Sequence, residues 1–407
     1  MKPLDGVKVV DLTRHMTGPL ATQMLSDFGA DVVKVESVPH GDPSRRTGTA
    51  FTGDESGLFL IWNRGKRSLA IDLRTDAGRE AVRRLAESAD VLIENYRPGV
   101  ADEIGLSYES LREVNPGLIY IALSAFGSSG PWSEDPGTDP VIQAMSGVMS
   151  VTGEPDGGPL LVGVPIADYA GAMSGMQAAM LGLLARERTG VGQRIEISML
   201  NALVSSLTTR LASWWFGGEE PQRHGAQHSV VAPYQAFKTA DGWAVAGVWG
   251  AGDAWDRFCE AIDRMDLLDD SRFLDTTKRV ANREELNAVL DPIFLTRTTA
   301  QWRERFHEAR ALFGPVHSVS DAVSQEQVAH SGLVTSITHP TLGKIPALKP
   351  AIELGETPGA IAGPPPLLGQ HSAEVLAEIG YGEEEIEQML ADGVILAPHA
   401  ATARSAV

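Results

Sequence analysis

The first half of the chain alternates two hydrophobic periodicities. Short runs rich in β-branched and aliphatic residues fall at Val7–Leu12, Asp31–Glu36, Ser68–Leu73, Asp90–Tyr96 and Leu118–Phe126. Between most of them lie helical patterns, at Thr22–Phe28, Ala77–Ala89 and Tyr108–Val114. Apolar runs separated by amphipathic helices predict a parallel sheet covered on both faces. Two longer helices are expected over Asp168–Arg188 and Asn201–Phe216, with a strand at Arg194–Met199 between them. The uncharged stretch between Asp168 and Arg186 is the longest in the chain. It contains Ser174, Gln177 and glycines at 171, 175 and 182, and it falls short of the ~20 apolar residues a membrane span needs. It reads as a buried helix.

The pattern changes after Trp215. A Gly/Glu/Pro/His loop leads into Tyr234–Lys238 and Trp243–Val248, a hairpin closed at Asp241-Gly242. From Gly252 to Ser324 the chain is mostly helical in pattern and more charged, as expected of a smaller domain. Ala360–Pro366 reads as a loop, and a terminal helical pair follows from His371.

Composition narrows the function. Asp and Glu number 53 against 34 Lys and Arg, a formal net charge of −19. Nucleic acid and anionic membrane surfaces want clustered cations, so neither is the expected partner. The single cysteine, Cys259, excludes a disulfide framework or a multi-cysteine metal site and suits a reducing compartment. Acid at Asp5 interrupts the N-terminus before any apolar run, unlike a signal peptide. The expectation is a soluble cytoplasmic protein acting on small molecules. Motifs exclude more. Gly18-Pro19 enters the first helix without a G-x-G-x-x-G fingerprint, and Gly65-Lys66 lacks the flanking residues of a phosphate loop. There is no H-E-x-x-H and no G-x-S-x-G. His224 and His228 are four apart, but in a glycine-containing loop and not on a metal-binding helix, so no metal is expected.

The most suggestive segment is Val164-Pro165-Ile166-Ala167-Asp168-Tyr169-Ala170-Gly171. Asp168 precedes a helix whose small residues Gly171, Gly175, Ala179 and Gly182 allow another backbone to approach closely. Aspartate is a favoured N-cap, so Asp168 reads first as the cap of that helix. A helix N-terminus favours the carboxylate by ~0.3–1 kcal/mol, and an ionised carboxylate in a water-poor site is a competent nucleophile toward an activated acyl group. The two roles are compatible.

In order along the chain come Gly6-Val7-Lys8-Val9-Val10-Asp11-Leu12-Thr13-Arg14, Gly29-Ala30-Asp31-Val32-Val33-Lys34-Val35-Glu36, Asn63-Arg64-Gly65-Lys66-Arg67-Ser68, Glu94-Asn95-Tyr96-Arg97-Pro98-Gly99, Gln143-Ala144-Met145-Ser146-Gly147, Asp168-Tyr169-Ala170-Gly171, Arg279-Val280-Ala281-Asn282-Arg283-Glu284-Glu285-Leu286 and Leu368-Gly369-Gln370-His371. Together they resemble the class III CoA-transferases, the formyl-CoA transferase-like or CaiB/BaiF group, over essentially the whole length. The resemblance implies an α/β fold. A Rossmann-like large domain with a parallel sheet would be formed by residues 1–215 and 330–407. A smaller α+β domain would span 225–325, with linkers at 216–224 and 326–329, and two copies would interlock as a homodimer. It implies transfer of CoA from an acyl-CoA donor to a carboxylic acid acceptor, with the CoA thioester as substrate and no resident cofactor. Asp168 would be the nucleophile, passing through an aspartyl anhydride and an aspartyl–CoA thioester. CoA would be bound by His15, Met16, Thr17, Lys66, Arg67, Asn95 and Tyr96. Its phosphates need local cations, and Arg45, Arg46, Arg64 and Arg97 also lie in the N-terminal region. An active-site loop carrying Gly247, Gly250 and Gly252 would cover the site, with Thr138 nearby.

Two departures, Met16 and Glu103, argue against a formyl-CoA/oxalate pair. A dicarboxylate acceptor with succinyl-CoA as donor is the default. The alternative is a 2-methylacyl-CoA racemase on the same fold. Those enzymes carry a second acid/base histidine in a Gly-His-Asp tripeptide, which here is Gly137-Thr138-Asp139. A threonine hydroxyl is no base near neutral pH; His15 could stand in for it. A catalytically silent thioester binder is the third reading, opposed by the presence of Asp168.

Overall fold

The computed structural model describes residues 1–250 and 252–398. Contacts divide the described residues into two compact units, one built from 1–148, 162–209 and 329–398, the other from 149–161, 210–250 and 252–328. The segment Met149–Leu161, expected with the large domain, belongs to the second unit because Arg223 gathers it. The Arg223 guanidinium donates to the carbonyls of Gly157 (2.8 Å), Glu154 (3.2 Å) and Ser150 (3.4 Å), and the Gly225 N–H donates to Gly153 (2.9 Å).

In the first unit six parallel strands form one sheet: β1 (Lys8–Asp11), β2 (Asp31–Ser37), β3 (Arg67–Ile71), β4 (Val91–Glu94), β5 (Ile119–Ser124) and β6 (Gln193–Ser198). Their order is β3-β2-β1-β4-β5-β6, and a short antiparallel strand, Ile395–Leu396, lies on the outer edge of β3. This is the doubly wound Rossmann order, reached here without a glycine fingerprint. Alternation sends Val10, Leu12 and Val33 to one core with Val82 and Leu85 of helix α2 (Asp76–Glu87). Val9, Val32 and Ile93 face the other core, with Leu25 of helix α1 (Thr17–Asp27). Helix α1 starts five residues before the Thr22 expected from periodicity. Pro19, in its first turn, has no N–H to leave unpaired there.

The C-terminal segment protects the sheet edge. Ser68 donates its N–H to His371 Nδ1 (3.1 Å) and Ala70 to Ser372 Oγ (3.1 Å), so the Gly369-Gln370-His371-Ser372 motif satisfies donors that an edge strand would expose. The helix expected over Asn201–Phe216 is broken. Met199–Val204 and Thr208–Gly217 are separated by a 3₁₀ turn at Ser205–Leu207. There the hydroxyls of Ser205 and Ser206 bond the carbonyls of Ala202 (2.7 Å) and Leu203 (2.6 Å), competing with regular helical pairing.

The second unit carries a three-stranded antiparallel sheet of β7 (Tyr234–Lys238), β8 (Trp243–Gly247) and β9 (Leu312–Pro315), with β8 central. The hairpin expected at Asp241-Gly242 is present, joining β7 to β8. Strand β9 falls in a stretch expected to be helical. Its Gly314 and Pro315 disguise it, and it tolerates the proline because it is an edge strand. Phe237, Phe258, Phe294, Trp302 and Phe306 are fully buried behind the sheet.

Beneath the loop that follows β1 lies an uninterrupted set of buried charges. Lys66 Nζ reaches Asp11 Oδ2 (2.9 Å), the Pro19 carbonyl (2.8 Å) and Asn63 Oδ1 (2.8 Å). Lys34 Nζ pairs with Asp42 Oδ2 (2.8 Å) and donates to the Thr13 carbonyl (2.9 Å). Arg45 grips Glu36 through two bonds of 2.8 Å. Burial opposes ionisation of Asp11, but Lys66, Lys34 and the Thr13 and Thr22 hydroxyls outweigh it and hold the carboxyl well below its usual range. Burial also pushes the Lys66 ammonium down to about 8 despite Asp11. Removing one member leaves a buried charge without its partner, which costs roughly 3–5 kcal/mol, whereas an apolar pair of similar volume is tolerated. We therefore expect Asp11→Leu to lose about that much stability in urea unfolding, and Asp11→Leu/Lys66→Met to regain most of it. Equal losses in the single and double variants would contradict this account.

Candidate active site

In an open parallel sheet the crevice forms where the strand order reverses, outside the carboxyl ends of the strands. Here that point lies between β1 and β4, and the two loops leaving it are laced together. Arg14 N–H donates to Asn95 Oδ1 (2.8 Å), and Asn95 Nδ2 donates back to the Arg14 carbonyl (2.9 Å). The Arg14 guanidinium lies 5.2 Å from the Tyr96 ring centroid. His15 takes a left-handed backbone (φ 67°), held by its N–H to Asp42 Oδ1 at 3.2 Å. The residues His15, Met16, Thr17, Asn95 and Tyr96 are thus brought together at the switch point.

Asp168 faces the same loop. It lies in helix α4 (Ile166–Thr189), at the third helical residue; the cap position is Pro165, so the expectation of an Asp168 cap is corrected. The capping carboxylate is Asp139, from helix α3 (Asp139–Met145), which follows Thr138. Its Oδ1 accepts from the N–H groups of Ala167 (2.7 Å) and Asp168 (3.3 Å), and its Oδ2 accepts from Gln143 Nε2 (2.6 Å). Because a neighbouring helix supplies the cap, the Asp168 side chain is free of that task. Its Oδ1 accepts a short hydrogen bond from the Thr17 hydroxyl, and its Oδ2 has no hydrogen-bond partner among the described residues. The carboxyl is half-buried. Burial pushes its pKa above the ordinary aspartate range, the Thr17 hydroxyl pulls it back, the Asp139 charge raises it and the His15 charge lowers it.

The small-residue stripe explains how Thr17 comes so near. A Cβ on Gly171 would sit 2.6 Å from Thr17 Cγ2, and one on Gly175 would sit 3.0 Å from Ala21 Cβ. Glycine at 171 lets α1 and α4 close up until hydroxyl meets carboxylate. Thr138, by contrast, makes no side-chain cap bond.

Two of the expected CoA-binding cations have other tasks. Lys66 is wholly buried, with three acceptors on its ammonium. Arg67 opens β3, and its guanidinium turns to Asp31 at the start of β2 and to Glu374 and Glu378. Arg45 and Arg64 are likewise paired, with Glu36 and Asp27. Arg46 and Arg97 have no carboxylate partner among the described residues and stay exposed after β2 and β4. The glycine-containing loop belongs to the second unit. Gly247 closes β8 with no room for a side chain against Tyr234, Gly250 and Gly252 take positive φ (95° and 84°), and Ala251 lies outside the described residues.

Sequence reasoning missed Asp139 and a cavity. Asp139 is visible only as the residue after Thr138, with nothing in the sequence to say which helix it would cap. The cavity, about 240 Å³, opens at the carboxyl ends of β4, β5 and β6, and its lining includes Glu94, Tyr96, Arg97, Tyr120, Arg194 and Glu196. Burial pushes the Glu94 carboxyl up to about 7, against hydrogen bonds from the Tyr96 N–H (2.7 Å) and the Tyr120 hydroxyl (3.5 Å). Among the described residues no group of three or more His, Cys, Asp or Glu could hold a metal ion, and no helix is long and apolar enough to cross a membrane.

Comparison with known proteins places the chain in a family. The sequence model of CoA-transferase family III matches residues 4–372. The succinyl-CoA:glutarate CoA-transferase of Mus musculus is 41% identical over 97% of this chain and 91% of the relative. The succinate–glutarate CoA-transferase of Agrobacterium fabrum is 36% identical over 93% of this chain and 96% of the relative. Among solved structures, a CaiB/BaiF family protein from Brucella suis superposes with a TM-score of 0.84 at 35% identity, covering 93% of this chain and 99% of that one.

The Asp168 environment can be tested without any substrate. In carbon-13 NMR titrations referenced to Asp168→Asn, Thr17→Val removes the bond that favours the carboxylate and moves the Asp168 titration to higher pH. Asp139→Asn keeps the helix cap, removes a like charge and moves it to lower pH. Shifts in the same direction in both variants would contradict the assignment.

Proposed function

This chain belongs to CoA-transferase family III, and from that membership we propose that it carries CoA from succinyl-CoA to a short dicarboxylate such as glutarate, with Asp168 as the nucleophile. The observation that carries the reading is the half-buried Asp168 carboxylate beside the crevice, one oxygen held by Thr17 and the other free. The names of the mouse and Agrobacterium relatives support the donor and the acceptor class.

The reaction runs in four exchanges. The free Asp168 oxygen attacks the thioester carbonyl of the donor, giving a mixed anhydride and CoA thiolate. The thiolate attacks the Asp168 carbonyl, leaving an aspartyl–CoA thioester and releasing succinate. The acceptor carboxylate then attacks that thioester, forming a second anhydride and freeing the thiolate. The thiolate attacks the acceptor acyl carbon, releasing the new acyl-CoA and restoring Asp168. Covalent steps of this kind conserve the thioester's free energy only while water is excluded. Burial of Asp168 serves that need, and the raised basicity that comes with it makes a better nucleophile.

CoA itself enters as a substrate. Its phosphates fit Arg46 and Arg97, two exposed arginines without a carboxylate partner among the described residues, in place of Lys66 and Arg67, and Tyr96 offers a ring for adenine. The racemase alternative needs a second base. Thr138 supplies none, and no hydrogen bond links His15 to Asp168 among the described residues. A homodimer fits the apolar side chains left exposed: Tyr169, Met180, Leu181 and Leu184 on α4, and, in the second unit, Trp214, Trp215 and Phe216. A reducing, cytoplasmic setting fits the lone buried Cys259.

With succinyl-CoA and glutarate, Asp168→Asn should cut exchange on the order of 10³-fold or more, with the melting temperature nearly unchanged. Full turnover in that variant would overturn the reading, and deuterium entering the carbon next to the thioester would favour the racemase.

A further inference from the structure

His224 and His228 are unused by the reaction above, and the second unit surrounds His228 with an unusual set of groups. The His228 ring stacks on Tyr234 (centroids 5.2 Å apart, 11° between planes) and meets the edge of Trp249 at 5.6 Å, with Tyr234 and Trp249 6.1 Å apart. The Val230 N–H donates to His228 Nδ1 (3.3 Å), which places the proton of the neutral imidazole on Nε2, where no partner meets it among the described residues. Arg283, the first residue of helix α5 (Arg283–Phe294), reaches into the same loop and donates from Nη2 to the Val231 carbonyl (3.4 Å). Its Nη1 is shut off from solvent and has no hydrogen-bond partner among the described residues. One turn along, Asn287 Oδ1 is also buried and unpartnered. The amide of Asn287 can turn to present its donor instead.

Charge makes the set more unusual still. The guanidinium groups of Arg210 and Arg283 lie close enough to add to burial in pushing the His224 and His228 imidazoles below their usual range. Among the described residues no carboxylate offsets them. Glu154 packs against Gly225 but exerts no pull on either ring, and burial alone acts on Arg283. An orphaned, desolvated guanidinium N–H is costly unless an anion takes it.

We propose that Arg283, His228 and Asn287, walled by Tyr234 and Trp249 and backed by Arg210, form a carboxylate-binding site of the second unit whose ligand is one carboxylate of a short aliphatic dicarboxylic acid. The free guanidinium N–H, the imidazole Nε2–H and the amide donor match the two oxygens of a carboxylate. The aromatic faces suit a methylene chain and leave little for the four oxygens of inorganic phosphate to bond. Binding of a carboxylate stands on these groups alone; that the ligand is a substrate rests on the transfer reading.

Calorimetric titration of the intact protein with glutarate, in the absence of CoA, tests it. Wild type should bind glutarate in preference to inorganic phosphate. Arg283→Gln should weaken that binding about ten- to a hundredfold, the loss expected for one charge-assisted hydrogen bond. Arg283→Lys and His228→Gln, each with an unchanged melting temperature, should fall between, separating loss of the site from loss of the fold. In turnover assays the same variants should raise KM for glutarate and leave KM for succinyl-CoA in place. Unaltered glutarate binding in Arg283→Gln would overturn the site, as would phosphate competing as well as glutarate. A wild type that binds no glutarate, together with an Arg283→Gln chain that dissociates on sedimentation, would also overturn it, assigning the cluster to a carboxylate of a second copy. Glutarate binding lost in Arg283→Gln by a protein that transfers no CoA would uphold the site and sink the transfer reading instead.

Discussion

Buried charge beneath the loop after β1 is the constraint on which the crevice depends. Asp11 closes β1, Glu36 lies near the end of β2 and Lys66 just precedes β3, so three neighbouring strands contribute to one set of ion pairs. The set reaches outward through Lys34 and Asp42 to the backbone of Thr13 and His15. A glycine-rich turn would leave that loop free to adapt; the ion pairs instead fix its path, including the left-handed turn at His15. Such pairs bring little net stability. What they give is position, because each charge has one geometry in which its partners are satisfied.

Position matters because Thr17 opens the helix that leaves this loop. Its hydroxyl meets Asp168 only because Gly171 allows α1 and α4 to touch. Asp139 completes the arrangement by taking over the cap of α4. A carboxylate spent on its own helix N-terminus would be lowered in basicity and turned from the crevice. With the cap delegated, Asp168 keeps an oxygen free and a pKa above the ordinary range. Three elements distant in sequence thus prepare one carboxylate.

Much of this fold is legible from periodicity. The six parallel strands, α2, α4 and the β7–β8 hairpin stand within a few residues of where apolar spacing and turn residues place them, and the family motifs point to the correct group. What is not legible depends on long-range partners. Lys66 and Arg67 look alike in sequence, as adjacent cations beside Gly65, yet one is buried under Asp11 and the other turns its guanidinium to Asp31 at the start of β2. No local signal distinguishes a cation that will meet phosphate from one that will meet carboxylate. Asp139 is hidden for the same reason, since its role is set by a helix twenty-odd residues away. Strand β9 is masked by Gly314 and Pro315, whose local preference is for turns.

The central claim is that a covalent link to CoA forms on Asp168. Brief incubation with succinyl-CoA, an acid quench and peptide mass analysis test it most directly. The account predicts a CoA-sized adduct confined to the peptide carrying Asp168, discharged by glutarate and absent from Asp168→Asn. CoA exchange at full rate with no such adduct, or an adduct on another residue, would contradict it.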